Sequence, residues 1–183
     1  MKEIPDRRSK NLAATLTAAV VLAAFTALAV SPAAASEHEE PVGNLAELMR
    51  AILFPNSNFL FDVQTTDPGT PPEPGSEDDR SASALFSGIY TGWQVPQQAA
   101  LALAEVEPLI MNADRKCENG RDAPVANEDY QKWARQLTEV AKQIYAAAHE
   151  EDRERVSDLT NNLAGACEDC HAVYRKYQDR CRR

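Results

Sequence analysis

Residues 156–175 read VSDLTNNLAGACEDCHAVYR, and their spacing decides the fold class. Apolar residues and cysteines recur every three or four positions, as expected for the buried face of an α-helix. The members of this face are Val156, Leu159, Leu163, Cys167, Cys170, Tyr174 and Tyr177. The last helix of the chain is therefore predicted to carry its cysteines on its buried side.

A second amphipathic helix is predicted directly before it, over residues 127–150. Asn127 is a suitable N-cap, and Glu128 and Asp129 fall in the first turn, where carboxylates favour the positive end of the helix dipole. Its apolar face steps through Tyr130, Trp133, Leu137, Val140, Ile144 and Ala148. Because continuing this face by heptads reaches charged residues, a turn at 149–152 is predicted instead of one long helix.

Two further helices are predicted upstream. Residues 43–64 form the first, with a bend at Pro55, and residues 81–112 form the second, with irregularities at Pro96 and Pro108. The stretches 65–83, rich in Pro, Gly and acidic residues, and 112–127 are predicted to be connecting loops. The predicted fold class is therefore all-α, and the simplest packing is an up-down-up-down four-helix bundle.

The N-terminal segment has the layout of a secretory signal peptide. Four basic and two acidic residues in 1–10 precede an uncharged, Ala-rich stretch at 11–30 and small residues at 32–36. Cleavage after Ala35 is predicted, which leaves residues 36–183 as one domain in a bacterial periplasm. An uncleaved membrane anchor is the alternative, since the uncharged stretch is just long enough to span a bilayer.

The chain is acidic, with a formal net charge of −9. Removal of residues 1–35, which carry a net charge of +2, would bring it to −11. This charge argues against a nucleic-acid partner, because phosphate binding needs a basic surface. A basic protein partner fits it, since opposite charges raise encounter rates, although the charge also serves solubility alone.

Within the last helix, Cys167-Glu168-Asp169-Cys170-His171 matches C-x-x-C-H, the attachment pattern for haem c. Positions i, i+3 and i+4 project from one side of a helix. The two thiols can then add to the two haem vinyl groups, while a neutral His171 imidazole binds the iron axially. The motif thus predicts one covalent haem c.

Other uses of the motif fit less well. A thioredoxin-like pair expects a strand-to-helix turn, and a disulfide between Cys167 and Cys170 is disfavoured by regular helix geometry. A zinc site needs further ligands at suitable spacing. The remaining thiols and imidazoles are all remote in sequence: Cys117, Cys181, His38 and His149. Haem attachment is therefore the preferred interpretation.

The stretch CEDCHAVYR at 167–175 resembles the C-x-x-C-H-x-x-Y-R signature of class II c-type cytochromes, the cytochrome c prime family. LMRAILFPNSNFLFDV at 48–63 and YTGWQVPQQAALALAE at 90–105 are also similar to exported bacterial cytochromes of this group. The resemblance implies that Cys167 and Cys170 hold the haem, that His171 is the proximal ligand and that Arg175 lies near the exposed proximal side. It leaves a homodimer open. The bend at Pro55 and the 65–83 loop depart from compact members of the family.

The resemblance allows two functions. One is the transfer of single electrons between redox partners, without catalysis. The other is the binding of a small diatomic gas, such as nitric oxide, at an open sixth position on the iron. A haem-free helical interaction module is the third alternative, and it requires the motif to be accidental.

The sixth iron ligand distinguishes the first two functions. In the predicted bundle, residues early in the first helix face the haem opposite His171: Leu45, Leu48, Met49 and Ile52. Among these only Met49 carries a ligating atom, and Met111, late in the second helix, is its rival. A thioether on the iron raises the potential and suits electron transfer, whereas an aliphatic wall leaves the position open to gas.

Cys117 and Cys181 are predicted to approach each other. In an up-down-up-down bundle the second and fourth helices finish at the same end, and the two cysteines follow these helices. An oxidising compartment permits a disulfide between them. Free or intermolecular thiols are the alternatives.

Overall fold

The computed structural model describes residues 40–70, 91–175 and 181 of the chain. Within these residues the secondary structure is helical, apart from one isolated β-bridge between Lys116 and Asp122. The predicted all-α class is therefore confirmed for this part of the chain. None of its helices has both the length and the apolar composition needed to cross a membrane. The predicted signal segment, residues 1–35, and residues 71–83 of the predicted loop lie outside the described ranges.

A continuous helical run begins the described structure. Its consecutive parts are helix α1 (Leu45–Leu48), a π-helical turn (Met49–Leu53), helix α2 (Phe54–Phe61) and a 3₁₀ turn (Asp62–Gln64). Asn44 and Glu47 start the run with a reciprocal capping box, in which each side chain accepts from the other residue's backbone N–H. The run covers the first helix predicted from the sequence.

Pro55 changes the hydrogen bonding of this run without ending it. A proline has no N–H to donate inside a helix. The turn just before it is π-helical, and the Phe54 N–H donates to the Met49 carbonyl five residues back. The side-chain amide of Asn56 then donates to the Ile52 carbonyl at 2.7 Å. At the position where the sequence predicts a bend, the structure therefore has a π-helical turn.

Prolines divide the second helical region. Helix α3 spans Gln94–Ala104 and has Pro96 in its first turn, and helix α4 spans Glu107–Ile110 with Pro108 near its start. Both prolines occupy positions where a helix does not need the missing N–H. The irregularities predicted at these positions are thus present, while residues 81–90 of the predicted helix lie outside the described ranges.

Two long helices complete the described structure. Helix α5 spans Glu128–His149 and helix α6 spans Arg153–Tyr174. The turn between them contains Glu151 in the left-handed region (φ 57°), and Asp152 caps α6 by accepting the Arg155 N–H at 3.0 Å. The predicted turn at 149–152 therefore separates the two helices.

The helices share one core. Helix α5 packs against α3 and α6, and α2 also contacts α3 and α6. Side chains that are fully buried in this core come from several elements: Leu60, Val63, Leu103, Ile144, Val156 and Leu163. The C-terminal part of α6, with the C-x-x-C-H motif, is thereby held beside the first helical run and α5.

Candidate functional site

The C-x-x-C-H motif of α6 borders a cavity of about 470 Å³. Cys167, Cys170 and His171 all line this cavity, and so do Met49 and Arg175. The remaining wall is mainly apolar and includes Leu45, Leu53, Phe61, Leu103, Ile110, Ala134 and Leu137. The structure thus brings the five predicted haem-site residues to one cavity.

The two motif cysteines are unbridged and half-buried. Burial raises the pKa of the Cys167 thiol. Burial, followed by the neighbouring Cys167 and the Asp129 carboxylate, raises the pKa of Cys170 to about 12. At neutral pH both side chains are therefore uncharged thiols, which suits the apolar wall that they join.

His171 is also half-buried. Burial, with the positive charge of Arg175 as the second cause, lowers the pKa of its imidazole. The ring is therefore neutral at neutral pH, which is the form that binds a metal ion. Helix α6 ends at Tyr174, so His171 lies in its final turn.

Tyr174 connects the end of α6 to the start of α5. Its hydroxyl donates to Asp129 Oδ1 at 2.6 Å and accepts from Asn127 Nδ2 at 3.0 Å. Asn127 occupies the predicted N-cap position of α5 with extended backbone, but it makes no side-chain capping bond. The predicted N-cap position is therefore confirmed, while the side-chain amide serves the contact between the two helices.

Three aromatic side chains pack together at the cavity wall. The rings of Tyr130 and Trp133 meet the Tyr174 ring edge to face, with centroids 5.4 Å and 6.1 Å away. The Tyr130 hydroxyl donates to the Ile110 carbonyl at 3.0 Å. These aromatic residues hold one side of the cavity in place.

The structure separates the two methionines that the sequence offers as iron ligands. Met49, at the start of the π-helical turn, lines the cavity. Met111 packs against the core but does not line the cavity. Met49 is therefore the better placed of the two thioethers.

Two arginines interrupt the apolar wall. Arg50 and Arg175 both line the cavity, and both are exposed. Arg50 pairs with Glu118 across 3.1 Å, with more than a third of each side chain exposed. Such exposed ion pairs contribute little stability, so Arg50 can change partner at small cost.

A disulfide joins Cys117 to Cys181, with the Cα atoms 5.6 Å apart. Cys117 is buried, and Cys181 lines the cavity. The Cys181 N–H donates to the Tyr174 carbonyl at 2.7 Å. The bridge thus ties the loop that follows α4 to the end of α6.

Sequence patterns give no indication of Arg115, which is buried in the loop after α4. Its guanidinium donates to the carbonyls of Leu109 and Gly43, and so connects this loop to the residue that precedes the N-cap of α1. Both acceptors are backbone atoms, and one is 72 residues away in sequence. No side-chain pattern could therefore have identified this contact.

Within the described ranges, no group of three or more His, Cys, Asp and Glu side chains could hold a metal ion unaided. Among the residues that the structure describes, His171 is the one histidine that lines the cavity. No protein-family model, no curated protein and no solved structure matches the chain, so its function has to be inferred from this cavity.

Proposed function

We propose that the chain is an exported c-type cytochrome with one haem attached covalently in the cavity beside α6. The observation that supports it is the convergence of Cys167, Cys170 and His171 on one apolar cavity. The proposal includes the architecture: residues 45–64, α3 with α4, α5, and α6 form an up-down-up-down four-helix bundle around the haem.

The residues present fit a haem. The cavity volume falls in the range of about 300 to 1,000 Å³ that is usual for small-molecule and cofactor sites. Its thiols are unbridged, and its histidine is neutral at neutral pH. Arg50 and Arg175 provide cations for the two carboxylates of a haem, while the rest of the wall suits the apolar macrocycle.

Each residue then has a definite role. Cys167 and Cys170 hold the cofactor through two thioether bonds, and His171 directs the lone pair of one ring nitrogen to the iron. The apolar wall excludes water, and the nearby charges tune the potential. When bound, the haem supplies a one-electron redox couple.

Single-electron transfer between redox partners, without catalysis, is the function we favour. Met49 lines the cavity and carries a sulfur that can occupy the sixth position on iron, and such ligation suits electron transfer. The second candidate is the binding of a diatomic gas at an open sixth position. It is supported by the aliphatic side chains of Leu45 and Leu53 in the same part of the wall.

The proposal also covers location and partners. The signal-like residues 1–35 direct the chain to the periplasm, where an oxidising environment favours the Cys117–Cys181 bridge. The net charge of −9 favours a basic redox protein as partner and argues against nucleic acid. Association with a membrane would require an uncleaved N-terminal segment. The proposal is compatible with either a monomer or a homodimer.

The decisive experiment expresses the full chain in a bacterium that attaches haem c to exported proteins. We expect the purified protein to keep its haem after acid-acetone extraction, with a mass increase of one haem, and to be reduced reversibly by one electron. A chain that loses all haem on extraction would refute the proposal and leave a haem-free helical module. Haem that stays attached but binds nitric oxide at once in both oxidation states would favour the gas-binding candidate.

A further inference from the structure

His171 lies in the last turn of α6, and a helix end tends to fray unless other contacts hold it. Tyr174, three residues later, ends the helix and is buried, with 5% of its surface exposed. A residue at i+3 lies on the same side of a helix as residue i. The contacts of Tyr174 therefore determine how firmly His171 is held beside the cavity.

Tyr174 is held through its backbone carbonyl, its ring and its hydroxyl. The Tyr174 carbonyl accepts from the Cys181 N–H, and its ring packs edge to face on Tyr130. Its hydroxyl donates to the Asp129 carboxylate at 2.6 Å and accepts from Asn127. Hydrogen bonds to a charged acceptor are about twice as strong as neutral ones.

Asp129 brings a negative charge to this end of the cavity. Its carboxylate belongs to the first turn of α5, and the oxygen that accepts from Tyr174 also accepts the Tyr130 N–H at 2.9 Å. Tyr174, which donates to this oxygen, lines the cavity. The Asp129 carboxylate therefore lies one hydrogen bond away from a residue of the cavity wall.

We propose that Asp129 and Tyr174 form a positioning pair, which fixes the turn carrying His171 and sets the reduction potential of the haem. This inference rests on the proposed function. The Asp129 charge stabilises the oxidised, more positive form of the haem, and the Tyr174 hydroxyl partly offsets that charge by donating to it. The bond thus combines a mechanical role with an electrostatic one.

The test compares single variants of the holoprotein by reduction potential. In Asp129→Asn the negative charge is lost, so the potential rises, and the ratio of reduced to oxidised protein at a fixed applied potential increases roughly three- to tenfold. In Tyr174→Phe the ring stays while the carboxylate loses a donor, so the potential falls. Tyr145→Phe, on α5 and outside the cavity lining, is the matched control and leaves the potential unchanged.

The double variant completes the test. Because the hydroxyl acts through the carboxylate, the shift caused by Tyr174→Phe disappears in the Asp129→Asn background. If Tyr174 also positions His171, the Tyr174→Phe variant holds this ligand less firmly. During acid titration, followed by the optical spectrum, His171 then leaves the iron at a higher pH than in the unmodified protein. Tyr145→Phe leaves that transition in place.

The outcomes separate this inference from the proposed function. Three results would overturn the positioning pair while leaving the haem assignment intact. They are reduction potentials that shift in the same direction in both single variants, shifts that add in the double variant, and no shift at all. Absence of covalent haem in the unmodified chain would instead remove the proposed function. Since Tyr174→Phe keeps the aromatic ring, and Asp129→Asn keeps the side-chain size, both variants retain the packing of the fold.

Discussion

Cys117 and Cys181 are 64 positions apart in the chain, yet their Cα atoms lie 5.6 Å apart and a disulfide joins them. Cross-linking so long a loop restricts the unfolded chain, which in the chain-entropy account is worth roughly 2 to 4 kcal/mol. We expect the double variant Cys117→Ser, Cys181→Ser to lose that much free energy of unfolding, as measured by guanidinium denaturation of the holoprotein. Peptide mapping without reductant that finds both thiols free in the unmodified protein would contradict the bridge.

Substitution of the motif cysteines should remove the haem and much of the fold. In Cys167→Ser, Cys170→Ser no thioether can form, and the unfilled cavity between the helices costs stability because a ligand bound only by the native state stabilises it. Mass spectrometry and circular dichroism should show no covalent haem and reduced helix content. The control is the Cys117→Ser, Cys181→Ser chain, which should keep its haem. Covalent haem in the motif variant would disprove the assignment of these residues.

The two methionines provide a matched pair for the sixth ligand. Met49 lines the cavity and Met111 does not. We expect the ferric holoprotein to be low-spin, Met49→Leu to convert it to high-spin with a lower potential, and Met111→Leu to change neither property. If the ferric protein is high-spin and Met49→Leu has the same spectrum, gas binding becomes the better supported function.

Burial of Tyr130 predicts a pH dependence. Desolvation, followed by the nearby Cys170, raises the pKa of its phenol far above the usual value near 10. The unfolded chain then loses this proton at a lower pH than the folded chain, so the contribution to stability falls as pH rises above about 10.

Ultraviolet titration of the holoprotein measures this directly. The chain has five tyrosines. Tyr130→Phe should leave the phenolate absorbance gained between about pH 9 and 11 unchanged, because Tyr130 does not ionise there. A loss of this absorbance change in Tyr130→Phe would show that Tyr130 is not buried in solution.

The sequence predicts the local structure of the second half of the chain well. Helices α5 and α6 follow from the spacing of apolar residues, and the turn between them follows from the mismatch of their two faces. The motif spacing also predicts that Cys167, Cys170 and His171 share one side of a helix. These features depend on residues close together in sequence, where periodicity carries the information.

Contacts between distant residues could not be predicted in the same way. The hydrogen bond from Tyr174 to Asp129 joins residues 45 positions apart, and the bond from Asn127 to Tyr174 joins residues 47 positions apart. The π-helical turn before Pro55 is one of several ways to accommodate a proline, and packing selects among them. Such features depend on the tertiary structure, and local sequence patterns therefore do not predict them.

The disulfide has a consequence for how the protein is made. Four cysteines allow three pairings, and the structure uses the first cysteine with the last, leaving the middle two unbridged. If the chain is exported from its N-terminus, as we propose, Cys117 emerges first and Cys167 emerges before Cys181. Oxidation in that order would consume Cys167, one of the two cysteines that we propose to bind haem. Formation of the Cys117–Cys181 bond then requires either that Cys117 stays reduced until Cys181 emerges or that a wrong bond is later exchanged.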